Sequence, residues 1–136
     1  MKIGIIGTGY VGLPTGVGLA ELGNTVVCVD KIKEKIDALK AGQLTIFEDG
    51  LAELFAKNTA NGRLSFTTSM KKAIEGADVV LIAVGTPPHP VTHEADLKYI
   101  YAAATELAEY LTDYTVIATK STVPVGTGDN IEQLIR

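Results

Sequence analysis

Gly7-Thr8-Gly9-Tyr10-Val11-Gly12, entered from Ile3-Gly4-Ile5-Ile6 and left through Leu13, Val17 and Ala20, is the stretch that decides the fold. A short apolar run ended by glycine reads as a strand entering a turn. From Tyr10 to Leu22 the apolar residues then recur at helical spacing until Gly23-Asn24 stops them. The turn is a G-x-G-x-x-G set between a strand and a helix, and each glycine has its own physical task there. Gly7 permits the tight turn, Gly9 lets a pyrophosphate approach bare backbone, and Gly12 lets helix and strand pack closely, with Tyr10 and Val11 completing the loop. Unpaired N–H groups and the positive end of the helix dipole would stabilise phosphate oxygens at that helix start. A glycine-rich turn that merely packs tightly satisfies the same pattern, so the surrounding chain has to discriminate.

Outward from the turn, strand and helix signals alternate. Thr25–Val29 is a second β-branched run, and 31–40 is a helix with Ile32, Ile36 and Leu39 on one face and Gly42 as its stop. Residues 44–47 read as loop, 51–60 as helix ended by Asn61-Gly62, 64–67 as strand, and 69–74 as a short helix capped by Ser69. Val79 to Val84 is apolar without alternation, the expectation for a strand covered on both faces in a parallel sheet. Pro87 to His93 holds three of the five prolines and both histidines and reads as an irregular loop at that strand's carboxyl end. A helix over 96–111, a strand over 115–119 and an amphipathic piece with Ile131, Leu134 and Ile135 follow. Such alternation requires right-handed crossovers, so the expected fold is α/β and doubly wound, a mostly parallel sheet with helices on both faces.

Asp30 ends the second strand 18 residues past Gly12, where a carboxylate accepts hydrogen bonds from the adenosine ribose hydroxyls and repels a 2′-phosphate. This favours NAD over NADP. Lys31, Lys33 or Lys35 could neutralise it, but no arginine, the usual phosphate clamp, is nearby. Asp30 also suits the role of cap for a helix beginning at Lys31. Pro14 lies near the start of the first helix, where a missing N–H costs little. Cys28, within the second strand's apolar run, reads as a small buried hydrophobe. His89 and His93 lack the carboxylate or thiolate partners of a metal site, so no metal is expected.

The 136 residues, with 12 Lys and Arg against 16 Asp and Glu and 46% hydrophobic residues, describe one domain over residues 1–136 with an ordinary core. A net charge of −4 without a basic run argues against nucleic acid as a partner. One cysteine excludes an intramolecular disulfide and a cysteine zinc cluster, and points to a reducing, cytoplasmic compartment. The N-terminal apolar stretch is broken by Gly4, Gly7, Gly9, Gly12 and Pro14, unlike a secretory signal, and the longest apolar run is too short for a membrane span. Ending at an amphipathic piece with no polar tail, the chain reads as part of a longer enzyme.

Taken together, GTGYVG at 7–12, Asp30 after Val26-Val27-Cys28-Val29, Phe47-Glu48-Asp49-Gly50-Leu51, VGTP at 84–87 and KSTVPVGT at 120–127 resemble the N-terminal domain of the UDP-glucose/GDP-mannose dehydrogenase family, its bacterial UDP-glucose 6-dehydrogenases in particular. The match runs the whole chain. The resemblance implies an NAD enzyme that oxidises the primary alcohol of a nucleotide sugar to a uronate in two hydride transfers. It implies that Gly7 to Gly12 hold the pyrophosphate, Asp30 and Lys35 the adenosine ribose region, and Thr86, Ser121 and Thr122 the nicotinamide half. Thr122 would also position a catalytic water. Read without the resemblance, Thr86 and Ser121 serve equally well as turn residues beside Pro87 and Pro124.

This chain departs from the pattern at Asp49, where many relatives have proline, and at His93, where a glycine commonly precedes the Ala-Asp pair at 95–96. The cysteine nucleophile of the family's second oxidation belongs to a later domain, so these residues alone are expected to be inactive and the whole protein to assemble as a homo-oligomer through other regions. GDP-mannose or UDP-N-acetylmannosamine as the sugar, or an NAD(H)-sensing module without catalysis, are the alternatives.

Overall fold

The computed structural model describes all residues from Met1 to Arg136. The elements in chain order are β1 (Lys2–Ile6), α1 (Gly12–Glu21), β2 (Thr25–Val29), α2 (Lys33–Lys40), α3 (Leu51–Ala60), β3 (Leu64–Thr67), α4 (Met70–Ile74), β4 (Val79–Ile82), α5 (Lys98–Ala108), β5 (Val116–Thr119) and α6 (Thr127–Ile135). Five strands form one parallel sheet in the order β3-β2-β1-β4-β5. The chain winds outward from β1 in one direction and then, after α4, in the other. The crevice between β1 and β4 is therefore the topological switch point, where ligands bind in sheets of this kind. In register, Ile6 lies beside Val29 and Ile82, and Ile82 beside Thr119. The turns that leave β1, β2, β4 and β5 consequently open at one edge.

Each face of the sheet has its own core. Ile3, Ile5, Val26, Cys28, Leu64 and Phe66 face α1, α2 and α3 through Leu13, Val17, Ile36, Leu39 and Phe55. The ring of Phe55 meets that of Phe66 at 5.7 Å between centroids. On the opposite face Ile6, Val29, Val80 and Ile82 pack under α4, α5 and α6 through Met70, Ile74, Ile100, Leu107 and Ile131. α1 opens without a side-chain cap, and Pro14 is its third residue; the Leu13 and Thr15 N–H groups on either side donate to the Gly9 and Val11 carbonyls at 3.1 and 3.3 Å, so the proline removes a single first-turn donor and the helix continues past it. Ser69 caps α4 by accepting from the Lys72 N–H, as its position in the sequence suggests. No helix is long and apolar enough to cross a membrane.

Several expectations change. α1 begins at Gly12, α2 at Lys33 and α5 at Lys98, each about two residues later than periodicity alone places them. Asp30 consequently does not cap α2. The capping position is Ile32, whose side chain makes no cap hydrogen bond. β4 ends at Ile82, two residues short of the apolar run, although the Ala83 N–H still donates to the Ile6 carbonyl at 2.8 Å. β4 is also not covered evenly: Val80 and Ile82 are fully buried, whereas Val79 and Leu81 are only half-buried, since α1, α2 and α3 lie over β1 to β3 and leave that side of β4 and β5 thinly covered. The apolar run at 79–84 thus reflects full covering on one side and partial covering on the other. Pro87 to His93 is more ordered than an irregular loop, with an antiparallel bridge between Pro88 and Ala95.

Candidate functional site

The glycine turn is built by three glycines under different constraints. Gly7 has φ +105°, and a Cβ there would lie 2.5 Å from the Ala83 carbonyl oxygen. A Cβ on Gly12 would lie 1.9 Å from the Gly7 carbonyl oxygen, so only glycine lets α1 start against the end of β1. Gly9 is different: its φ is ordinary, and a Cβ would meet nothing within 4 Å. The fold itself does not demand a glycine at position 9. The N–H groups of Gly9, Tyr10, Val11 and Gly12 have no partner in the chain, and Tyr10 and Val11 turn their side chains outward, 73% and 44% exposed. The turn therefore offers a row of unpaired donors at the positive end of a ten-residue helix, with open space in front of Gly9.

Asp30 stands beside this turn. The Thr8 N–H and hydroxyl both donate to its Oδ2, at 3.0 and 2.8 Å, and the Ile32 N–H donates to its Oδ1 at 3.0 Å. Lys35, from the first turn of α2, brings its Nζ to 3.8 Å of Oδ2. Partial burial pushes the carboxyl pKa up, but the bonds from Ile32 and Thr8 and the charge of Lys35 outweigh it and leave Asp30 below the usual carboxylate range. Lys31 turns instead to Glu106 of α5, at 3.6 Å, and Lys33 to Asp37, at 2.5 Å. Of the three lysines considered from the sequence, only Lys35 reaches the carboxylate.

At the ends of β4 and β5 the predicted hydroxyls have different fates. Ser121 donates to the Val84 carbonyl at 2.7 Å, and Thr86 donates to the Thr122 carbonyl at 3.2 Å. These bonds tie the two strand ends together and support the turn-residue reading of Ser121 and Thr86. Thr122 is exposed, and its hydroxyl makes no hydrogen bond in the chain. The loop beyond is closed by Asp96 N–H donating to the Pro87 carbonyl at 2.8 Å and by the N–H groups of Val91 and Thr92 donating to His89 Nδ1 at 3.2 and 3.4 Å. His93 takes φ +60°, the left-handed conformation that glycine adopts most readily, so the departure noted at this position keeps a glycine-like backbone. The histidines stay in this loop, and no group of three or more His, Cys, Asp or Glu side chains is assembled. Cys28 is completely buried, and desolvation pushes its thiol up to about 12, which keeps it protonated and unreactive.

The structure thus gathers Gly7 to Gly12, Asp30 and Lys35 into one cluster and places Thr86, Ser121 and Thr122 in a second, across the same sheet edge. The sequence reading missed Thr8. The signal was present, because Thr8 is the one hydroxyl between Gly7 and Gly9 and turns up completely buried beside a carboxylate.

Comparison with known proteins places the fold and the sequence in a family. Residues 1–136 match the UDP-glucose/GDP-mannose dehydrogenase family, NAD binding domain. The chain is 58% identical over 136 residues to UDP-glucose 6-dehydrogenase of Rhizobium meliloti, covering all of this chain and 31% of that protein. It is 50% identical over 135 residues to UDP-glucose 6-dehydrogenase TuaD of Bacillus subtilis, covering 99% of this chain and 29% of the relative. Among solved structures, GDP-mannose dehydrogenase of Pseudomonas aeruginosa superposes with a TM-score of 0.94 at 37% identity, over 99% of this chain and 32% of that one. A UDP-glucose dehydrogenase of Pyrobaculum islandicum gives 0.88 at 36% identity, over 98% and 32%. The chain spans about a third of the length of these relatives. On the match over every residue, the chain belongs to the UDP-glucose/GDP-mannose dehydrogenase family, as its NAD binding domain.

Proposed function

We propose that residues 1–136 form the unit that holds NAD in a nucleotide-sugar 6-dehydrogenase acting on UDP-glucose. The observation that carries the cofactor assignment is Gly9, a glycine that neither backbone conformation nor packing requires, facing open space beside unpaired N–H groups. A pyrophosphate fits there, because its oxygens need those donors and its bulk needs the absent Cβ. Asp30 takes the adenosine ribose and rejects a 2′-phosphate, with Lys35 at its side. Across the crevice, Thr86 and Ser121 shape the wall for the nicotinamide half and Thr122 presents a free hydroxyl for orienting water. When bound, NAD supplies the hydride acceptor. The high identity to UDP-glucose 6-dehydrogenases supports UDP-glucose as the sugar.

On this reading the isolated domain binds cofactor without turning over substrate. Oxidation to a uronate needs a nucleophile to capture the aldehyde, and Cys28 is sealed in the sheet with a protonated thiol. Titration calorimetry should show NAD+ binding and NADP+ binding at least about tenfold weaker. NADP+ binding as tight as NAD+ would contradict the proposal. The absorbance of NADH should not grow when the domain, NAD+ and UDP-glucose are combined. Sustained, domain-dependent reduction that disappears in Thr122→Ala would show the domain to be a complete catalyst.

A further inference from the structure

Thr8 is polar, completely buried and devoted to one partner: both of its donors reach Oδ2 of Asp30. With Lys35 at 3.8 Å from the same oxygen, Oδ2 has no acceptor capacity left for a ligand. Oδ1 carries a single bond, from the Ile32 N–H, and keeps one acceptor position free. The carboxylate is therefore locked in rotation with one oxygen turned to the glycine turn and the other available. Because Thr8 lies between Gly7 and Gly9, the group that fixes the carboxylate also sits in the segment offered to the pyrophosphate.

Resting on the NAD-binding reading above, we propose that Thr8 is a positioning residue for cofactor selectivity, its hydroxyl holding Asp30 so that Oδ1 meets the ribose 2′-hydroxyl. Without that hydroxyl, Oδ2 keeps the Thr8 N–H alone and competes with Oδ1 for the ribose and for Lys35. The carboxylate then rotates, and recognition of the 2′-hydroxyl weakens while contacts to the pyrophosphate persist. Lys35 from α2 is the charged group that faces Asp30, and Lys31 is held by Glu106.

The test compares Thr8→Val, which keeps shape and removes the hydroxyl, with Thr8→Ser, which restores it, and with Asp30→Ala. Calorimetric titrations use NAD+, NADP+ and 2′-deoxy-NAD+ across a pH series. Thr8→Val should weaken NAD+ roughly tenfold, as expected for one lost hydrogen bond to a charged group. It should change 2′-deoxy-NAD+ less than about twofold, narrow the NAD+ to NADP+ ratio, and move the acidic fall-off of NAD+ affinity to higher pH. Thr8→Ser should restore all three. Equal losses for all three ligands, or no rescue by Thr8→Ser, would overturn the proposal by making Thr8 structural. Asp30→Ala impaired with Thr8→Val unchanged would overturn it while leaving the ribose role of Asp30 standing. An Asp30→Ala variant that binds NAD+ normally would overturn both.

Discussion

The glycine turn after β1 and the threonine-bearing ends of β4 and β5 stand on one edge of one sheet, and they treat their polar groups in opposite ways. At the turn, Gly9 to Gly12 leave four N–H groups unpaired, and Asp30 is fixed by Thr8 and Ile32 with an acceptor position open. At the other end, Ser121 and Thr86 donate inward to the carbonyls of Val84 and Thr122, and the exposed Thr122 hydroxyl stays free. The covering differs as well. β1 and β2 are flanked by apolar packing on both faces, whereas Val79, Leu81 and Val116 are only partly covered. The lesson is that the glycine-turn end presents a set of unpaired groups, while the β4–β5 end uses the Ser121 and Thr86 hydroxyls to hold its own backbone.

Substitutions can break that contrast. The largest expected effect is on folding. Gly12→Ala forces a Cβ to 1.9 Å from the Gly7 carbonyl oxygen, and thermal or urea unfolding should show a loss of about 3 kcal/mol or more. Gly9→Val should leave unfolding nearly unchanged, because nothing lies within 4 Å of the new Cβ, yet weaken NAD+ by about a hundredfold in a fluorescence titration, equivalent to about 3 kcal/mol. Normal binding by that variant would move the cofactor elsewhere. Ser121→Ala, which leaves the Val84 carbonyl without its donor, should cost about 1 kcal/mol of stability and little NAD+ affinity. Thr122→Ala should leave stability unchanged, since its hydroxyl has no partner in the chain.

A pH series sharpens the same contrast. Asp30 is held below its ordinary carboxylate value in the folded chain, so its bonds to Thr8 and Ile32 contribute stability in full above the unfolded value. That contribution is lost as pH falls through the lowered folded value. Asp30→Asn should flatten this acidic limb of a stability curve, and Ser121→Ala should leave it unchanged.

Much of this was legible in the sequence, for identifiable reasons. The glycine turn, the β-branched strands and Asp30 at the end of β2 announce themselves through local chemistry. The ends of helices were less legible, since Lys31, Ile32, Asp96 and Leu97 fit a helical pattern but are taken up by turns that Asp30 and Asp96 organise through N–H groups two residues on. The uneven covering of β4 could not be read from Val79 to Val84, because a strand's hydrophobicity does not say which helix lies over it. The inward aim of Ser121 and Thr86 depends on two segments that are distant in sequence, and so did the partnership of Thr8 with Asp30.

The most direct test is an NMR titration of the isotopically labelled domain with NAD+, following each backbone amide. If the turn and Asp30 are the ready part of the site, the largest shifts will fall on residues 7–13 and 30–35, with smaller ones at 84–86 and 121–123. Shifts concentrated at 85–97 and 120–126, with the amides of Gly9 to Gly12 unmoved, would contradict it.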